Sequence, residues 1–194
     1  MPRSGIGGQE TVAWGTHLCL FYKSTAELRQ LLTLYFQAGL ADGECCLWIT
    51  GPSLSDGEAL ESLQRSIPLA RDYLENGQLE ILPHTQWYVD NGIFRPEAVL
   101  ATWFSKLRQA TQRGWAGLRV AGDASWLSSG EERQAFITYE QQVTETASAQ
   151  RLLALCTYPS AAWVPEEMLQ VMQCHTSVLL QGSAGWKSVD VSCF

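Results

Sequence analysis

Residues 16–28 read Thr16-His17-Leu18-Cys19-Leu20-Phe21-Tyr22, then Lys23-Ser24-Thr25-Ala26-Glu27-Leu28, and this stretch decides how the chain folds. The first half is a short apolar run closed by two aromatic residues, the pattern of a buried strand. The second half is a turn and a helix start, with Ser24 as N-cap and Glu27 three residues later as its capping-box partner. A buried strand running straight into a capped helix opens an α/β unit. In such units ligands bind where strands end and helices begin. A working phosphate loop needs the pattern G-x-x-x-x-G-K-[ST], because glycine amides must approach the phosphates closely. Tyr22-Lys23-Ser24-Thr25 contains no glycine, so ATP hydrolysis is not expected.

The same alternation continues outward from this unit. Thr25 to Ala41 carries apolar residues at 28, 31, 32, 35, 36 and 40, a helical spacing that ends at Asp42-Gly43. Glu44 to Thr50 reads as a second strand and Leu79 to Leu82 as a third, with short helices over Asp56 to Arg65 and Pro68 to Glu75. His84 to Phe94 reads as an aromatic loop. Pro96 opens a helix to Gln112. Leu118 to Ala121 is a fourth strand, Ser129 caps a helix over Glu131 to Thr146, and Leu152 to Tyr158 is a fifth strand. Pro165 opens a last helix ending near Cys174-His175, and Ser177 to Gln181 with Trp186 to Val191 reads as a closing hairpin. Strands separated by helices of ten or more residues predict an α/β fold with a mostly parallel sheet and helices on both faces. The 194 residues suit one domain over 15–194, preceded by a flexible, Gly-rich arm over 1–14.

Composition narrows the function. The net charge is -7 and the 13 basic residues are scattered, which argues against direct nucleic-acid binding. No run has the length of a membrane span and no signal peptide is visible, so a cytoplasmic protein with reduced, mostly buried thiols is expected. Cys19, Cys45, Cys46, Cys156, Cys174 and Cys193 contain no paired C-x-x-C. His17 and Cys19 stand two apart on a strand and share a face. With Cys156, Cys174 and His175 they form a set of soft donors that could meet around a metal or haem; the alternative is small buried thiols, with His17 satisfied by a backbone carbonyl. Asp123 ends an apolar strand, where it either holds a magnesium ion or hydrogen-bonds its own loop. Trp87, Tyr88, Phe94 and Trp126 either line an apolar pocket or cap the core.

His17 to Tyr22, Phe36 to Glu44, Leu118 to Leu127, Tyr139-Glu140, Leu152 to Pro159 and Cys174-His175, in this order and spacing, resemble the MEDS domain, the sensory module of dichloromethane-responsive regulators and of methanogen and methylotroph histidine kinases. That family looks like a degenerate relative of RecA and KaiC ATPases. The resemblance implies a RecA-like sheet whose phosphate loop is replaced by Tyr22 to Thr25, with Asp123 where the family commonly has Glu and Ser177 where it usually has a second His. It places the strand around Cys19 between those of Leu152 to Tyr158 and Ser177 to Leu180. It implies a non-catalytic sensor of a small organic ligand, needing no cofactor, coupled to a histidine kinase or transcription regulator, fused or separate, and compatible with a homodimer. The ligand site expected at the strand ends comprises Tyr22, Lys23, Ser24, Asp123, Trp126 and Tyr158. The other readings are an ATP-binding module without hydrolysis, or a Cys/His metal or redox sensor.

Overall fold

The computed structural model describes residues 1–7, 10–183 and 185–191. Its elements in chain order are β1 (His17–Tyr22), α1 (Thr25–Ala41), β2 (Cys45–Thr50), α2 (Asp56–Ser66), α3 (Ala70–Glu75), β3 (Leu79–Pro83), α4 (His84–Trp87), β4 (Val89–Asp90), β5 (Ile93–Phe94), α5 (Pro96–Gln112), β6 (Leu118–Asp123), α6 (Gly130–Ala147), β7 (Leu152–Pro159), α7 (Pro165–Gln173), β8 (Ser177–Gly182) and β9 (Gly185–Asp190). The main sheet runs β3-β2-β6-β7-β1-β8-β9. Every pairing in it is parallel except the closing hairpin, β8 with β9. The strand around Cys19 lies between β7 and β8, as expected, with Cys19 opposite Cys156 on one side and Val178 on the other.

Side chains alternate across each strand, so the sheet has two cores. On the first face Leu18, Leu20, Cys46, Trp48, Ala121 and Leu155 pack under α1, α2 and α3. On the second face Cys19, Leu47, Val120, Ala154, Cys156 and Tyr158 pack under α4 to α7. The helices are cut where their caps dictate. Ser24 accepts the Glu27 amide at the start of α1. Full capping boxes, Ser55 with Glu58 and Ser129 with Glu132, open α2 and α6.

Two expectations are corrected. The loop read over His84 to Phe94 is the short helix α4 followed by a separate two-stranded hairpin, β4 with β5. Asn91 (φ 49°) and Gly92 (φ 81°) form its turn, the left-handed pair that a tight hairpin requires. In the arm read as flexible over residues 1–14, the described residues Ser4, Ile6 and Val12 are packed into the core instead, and Arg3 bridges Thr11. The cause is Arg119, a fully buried cation on β6. Its Nε and Nη2 bind both Glu44 oxygens, at 2.5 and 3.1 Å. Nη1 donates to the carbonyls of Ser4 and Tyr35, and Nη2 donates to that of Arg3. The guanidinium also sits 4.6 Å from the Tyr35 ring centre. Gly39 makes room for it, since a Cβ there would lie 2.5 Å from Nε. The N-terminal carbonyls complete the shell of a charge that cannot reach water.

Removing one member of such a pair strands the other in the interior. Arg119→Met is expected to lower unfolding free energy by about 3–5 kcal/mol. The double variant with Glu44→Met should recover much of that loss. Urea unfolding of the three proteins checks both; an R119M loss under about 1 kcal/mol is the contrary outcome.

Candidate functional site

The alternation of β1 divides the expected ligand residues between the faces. Tyr22 points to the first face. Its hydroxyl lies 2.7 Å from Ser53 Oγ and 3.1 Å from Asp123 Oδ1. Asp123, buried at the end of β6, also accepts from the Ser125 amide and hydroxyl and from Thr157 Oγ1. These bonds tie the carboxylate to its own loop and to the neighbouring strand. Burial outweighs them and lifts the Asp123 pKa from 3.8 to about 6.

Tyr158 follows Thr157 and therefore faces the other way. Its hydroxyl donates to Glu140 Oε1 at 3.1 Å, and its ring stacks on Phe21. Tyr22 and Asp123 thus meet, and Tyr158 does not join them. Lys23 and Ser24 are exposed and occupied with helix capping: the Lys23 amide donates to Glu27 Oε2 at 2.6 Å, and Ser24 Oγ accepts the Glu27 amide. A carboxylate of the chain itself takes the amide that a phosphate loop would offer to a nucleotide.

Trp126 packs on the second face among aromatic rings. Tyr88 stacks on it at 5.6 Å between ring centres, and Phe94 and Phe136 meet it edge-on at 5.6 and 5.7 Å. His84 stacks on it from outside at 5.9 Å. Tyr139 joins the group through Phe136 and Phe94, and its hydroxyl accepts the Trp103 indole N–H at 2.7 Å. Gly122 admits the Tyr88 hydroxyl, which would lie 2.1 Å from a Cβ there. The β4–β5 hairpin supplies Phe94 and covers this cluster. The indole N–H of Trp126 is buried in it without an acceptor; that of Trp87, whose ring meets Trp103 edge-on at 5.5 Å, is likewise unpaired.

The expected metal ligands are also sorted by the fold. His17, Cys156 and His175 come together with Glu140 in one buried group whose donor atoms all lie within 4.8 Å of one another. His17 Nε2 is 3.1 Å from Glu140 Oε2 and 3.3 Å from Cys156 Sγ. His175 Nε2 is 3.7 Å from the same carboxylate oxygen. The Cys19 and Cys174 thiols stay outside the group; Cys174 Sγ turns to the Ile137 carbonyl. Burial lowers both histidines to about 3, so their rings are neutral, and it raises Glu140 and the Cys156 thiol. Glu140 is not among the donors expected from the sequence. Its signal was a carboxylate inside the apolar stripe Phe136, Ile137, Val143 and Ala147, on the core-facing side of α6. Cys193 lies outside the described residues.

A parallel sheet in this order, with helices on both faces and a turn in place of the phosphate loop, defines a RecA-class α/β domain. Among solved structures it is similar to a KaiC-like protein from the hyperthermophilic archaeon Pyrococcus horikoshii OT3. The TM-score is 0.58 at 13% identity, covering 96% of this chain and 84% of that one. At that identity the likeness speaks for the fold alone. Residues 16–176 match the model of the MEDS family, the methanogen/methylotroph, DcmR sensory domain, and the chain belongs to that family. No curated protein sequence matches it.

The raised pKa of Asp123 makes stability depend on pH. The native state holds this proton more tightly than the unfolded chain does. The stability so gained is complete below about pH 4 and is lost as pH rises through 6, a change of about 3 kcal/mol. Asp123→Asn should remove it. The difference in unfolding free energy between wild type and variant should therefore move by about that amount toward the variant from pH 4 to pH 7. Urea unfolding at the two pH values is the check; a constant difference contradicts the assignment.

Proposed function

We propose that the chain is a non-catalytic sensory domain that binds a small organic molecule, of hydrocarbon-derivative type, and passes the change to a signalling output module. Membership of a sensory-domain family supports the general role. The closed helix start at Lys23-Ser24 supports the absence of catalysis, because Glu27 answers the amide a phosphate would need. Among the described residues no helix is long and apolar enough to cross a membrane. This accords with the cytoplasmic setting we propose, with a histidine kinase or transcription regulator, fused or separate, as the partner. Self-association into a homodimer is compatible with that role.

The observation that carries the ligand assignment is the unanswered indole N–H of Trp126 in the aromatic cluster under the β4–β5 hairpin. A buried donor without a partner costs about 1–3 kcal/mol. A molecule with an apolar body and one acceptor atom satisfies such a donor and replaces ring contacts with its own. The hairpin above the cluster has only two residues in each strand, and Ile93 on it is exposed. Short elements of this kind open at low free-energy cost. Trp126 therefore remains the central wall, with Tyr88, Phe94 and Phe136 beside it. Tyr22 and Asp123 occupy the neighbouring strand ends on the other face.

Thermal unfolding with methanol, dichloromethane and MgATP as separate probes tests the reading. A ligand that prefers the native state raises the midpoint, by the equivalent of about 2.7 kcal/mol at one hundred times its Kd. An organic probe is expected to give this rise in wild type and to lose it in Trp126→Ala, with no MgATP turnover in either protein. Stabilisation by MgATP alone, or an organic response indifferent to Trp126, overturns the assignment.

A further inference from the structure

The group of His17, Glu140, Cys156 and His175 sits at the amino end of β1, beside the start of β8. Its hydrogen bonds fix which nitrogen of each ring carries the proton. His175 Nδ1 lies 2.7 Å from the Val171 carbonyl oxygen, which can only accept, so Nδ1 bears the hydrogen. His17 Nδ1 lies 2.7 Å from Thr144 Oγ1. The Thr144 hydroxyl gives its own hydrogen to the Cys174 carbonyl, so it must accept from His17. Both rings therefore turn a bare Nε2 lone pair toward the same carboxylate oxygen. Cys156 Sγ, 3.3 Å from that oxygen, completes the convergence.

The Cys156 thiol gives its hydrogen to that oxygen, so a carboxylate, a thiol and two bare ring nitrogens meet in a dry interior with too few protons to satisfy them all. One proton on Glu140 can bridge to His17, but it leaves His175 Nε2 with no partner, and that atom is buried and unsatisfied. A cation answers all four at once. We propose that this chain binds one divalent transition-metal ion, zinc by the chemistry of its donors, through Nε2 of His17, Nε2 of His175, the Glu140 carboxylate and the Cys156 thiolate.

The geometry fits. Bonds of about 2.0–2.3 Å to a tetrahedral ion require donor separations of about 3.3–3.8 Å. The four separations given by the structure run from 3.1 to 3.7 Å, and none within the group exceeds 4.8 Å. The surrounding shell is also that of a metal site. Each histidine is oriented through its other nitrogen, by Thr144 and by the Val171 carbonyl, and the second Glu140 oxygen is held by Tyr158. A surface cleft of about 600 Å³, lined by Thr16, Gln173, His175, Thr176, Ser177, Asp190 and Val191, lies beside this buried group.

This inference is independent of the organic-ligand reading, since none of the four donors belongs to the Trp126 cluster. The experiment takes the whole chain, stripped of metal under reducing conditions, and titrates it with Zn²⁺ and separately with Co²⁺. One equivalent per chain is expected, and the cobalt form should show thiolate-to-cobalt charge-transfer absorption. Cys156→Ser should lose that absorption, while Cys174→Ser, which alters a thiol outside the group, should keep it. Thr144→Val, which leaves all four donors in place, should weaken binding 10- to 100-fold. Far-UV circular dichroism confirms that each variant is folded; a Cys156→Ser protein that fails to fold is replaced by Cys156→Ala. Absence of a stoichiometric site in wild type overturns the proposal, as does a thiolate band that survives without Cys156 or disappears without Cys174.

Discussion

The strand at the centre of the sheet can send each side chain only up or down, and that constraint governs both candidate sites. His17, Cys19 and Phe21 go to one face and Leu18, Leu20 and Tyr22 to the other. Because β1 is paired on both sides, it cannot slip by a residue without sending an apolar set to the wrong core. Tyr22 is thereby committed to Asp123, and His17 to Glu140. The parallel register with β7 carries the division across, placing Cys156 and Tyr158 on the His17 face and Thr157 on the Tyr22 face.

Charge is handled in opposite ways on the two sides of this sheet. On the first face Arg119 and Glu44 form an ion pair with neither side chain exposed, and every guanidinium hydrogen has an acceptor. The second face holds Glu140 with two neutral imidazoles and a thiol, and no cationic side chain stands in that group. A buried pair that is fully bonded is stable as it stands. Glu140 takes hydrogen bonds from Tyr158 and Cys156, but the buried His175 Nε2 beside it has none, and this asymmetry sets the second group apart from an ordinary structural network.

Much of the fold was legible because helix and strand periods rarely coincide. The spacing over Thr25 to Ala41, the proline at 96 and the caps Ser24 and Ser129 all land where the structure has them. The odd separation of His17 and Tyr22 along one strand already told that they face apart. What could not be read were relations between strands: which residue of β7 lies opposite Cys19 depends on loop lengths and packing, not on either run alone. Tyr158 is parted from Tyr22 and Asp123 for this reason, since one residue of register decides its face. The N-terminal segment was misread for a different one. Its value to the fold lies in the carbonyls of Arg3 and Ser4, and backbone acceptors leave no mark in a sequence. Asn91-Gly92 was a hairpin signal in plain view, outweighed by the aromatic, non-alternating run around it.

Helix α6 joins the two sites physically. Phe136 and Tyr139 on it belong to the aromatic cluster around Trp126, and Glu140, one turn beyond Phe136, lies among His17, Cys156 and His175. Residues four apart on a helix share a face and move together, because the hydrogen bonds between them are shorter-ranged and stiffer than the packing around them. A displacement of α6 that repacks Phe136 against Trp126 therefore also shifts Glu140 against two histidines. Were both proposed sites to bind, the reverse would hold with equal force, since coupling between two binding equilibria is reciprocal. The carboxylate at 140 tolerates such a shift poorly, being bonded to Tyr158 and Cys156 at once. The two groups are close neighbours on this face, since Cys156 pairs with the Gly122 that admits Tyr88, and a ligand-driven displacement of α6 of the kind proposed would reach both across a packed core that has few intermediate arrangements.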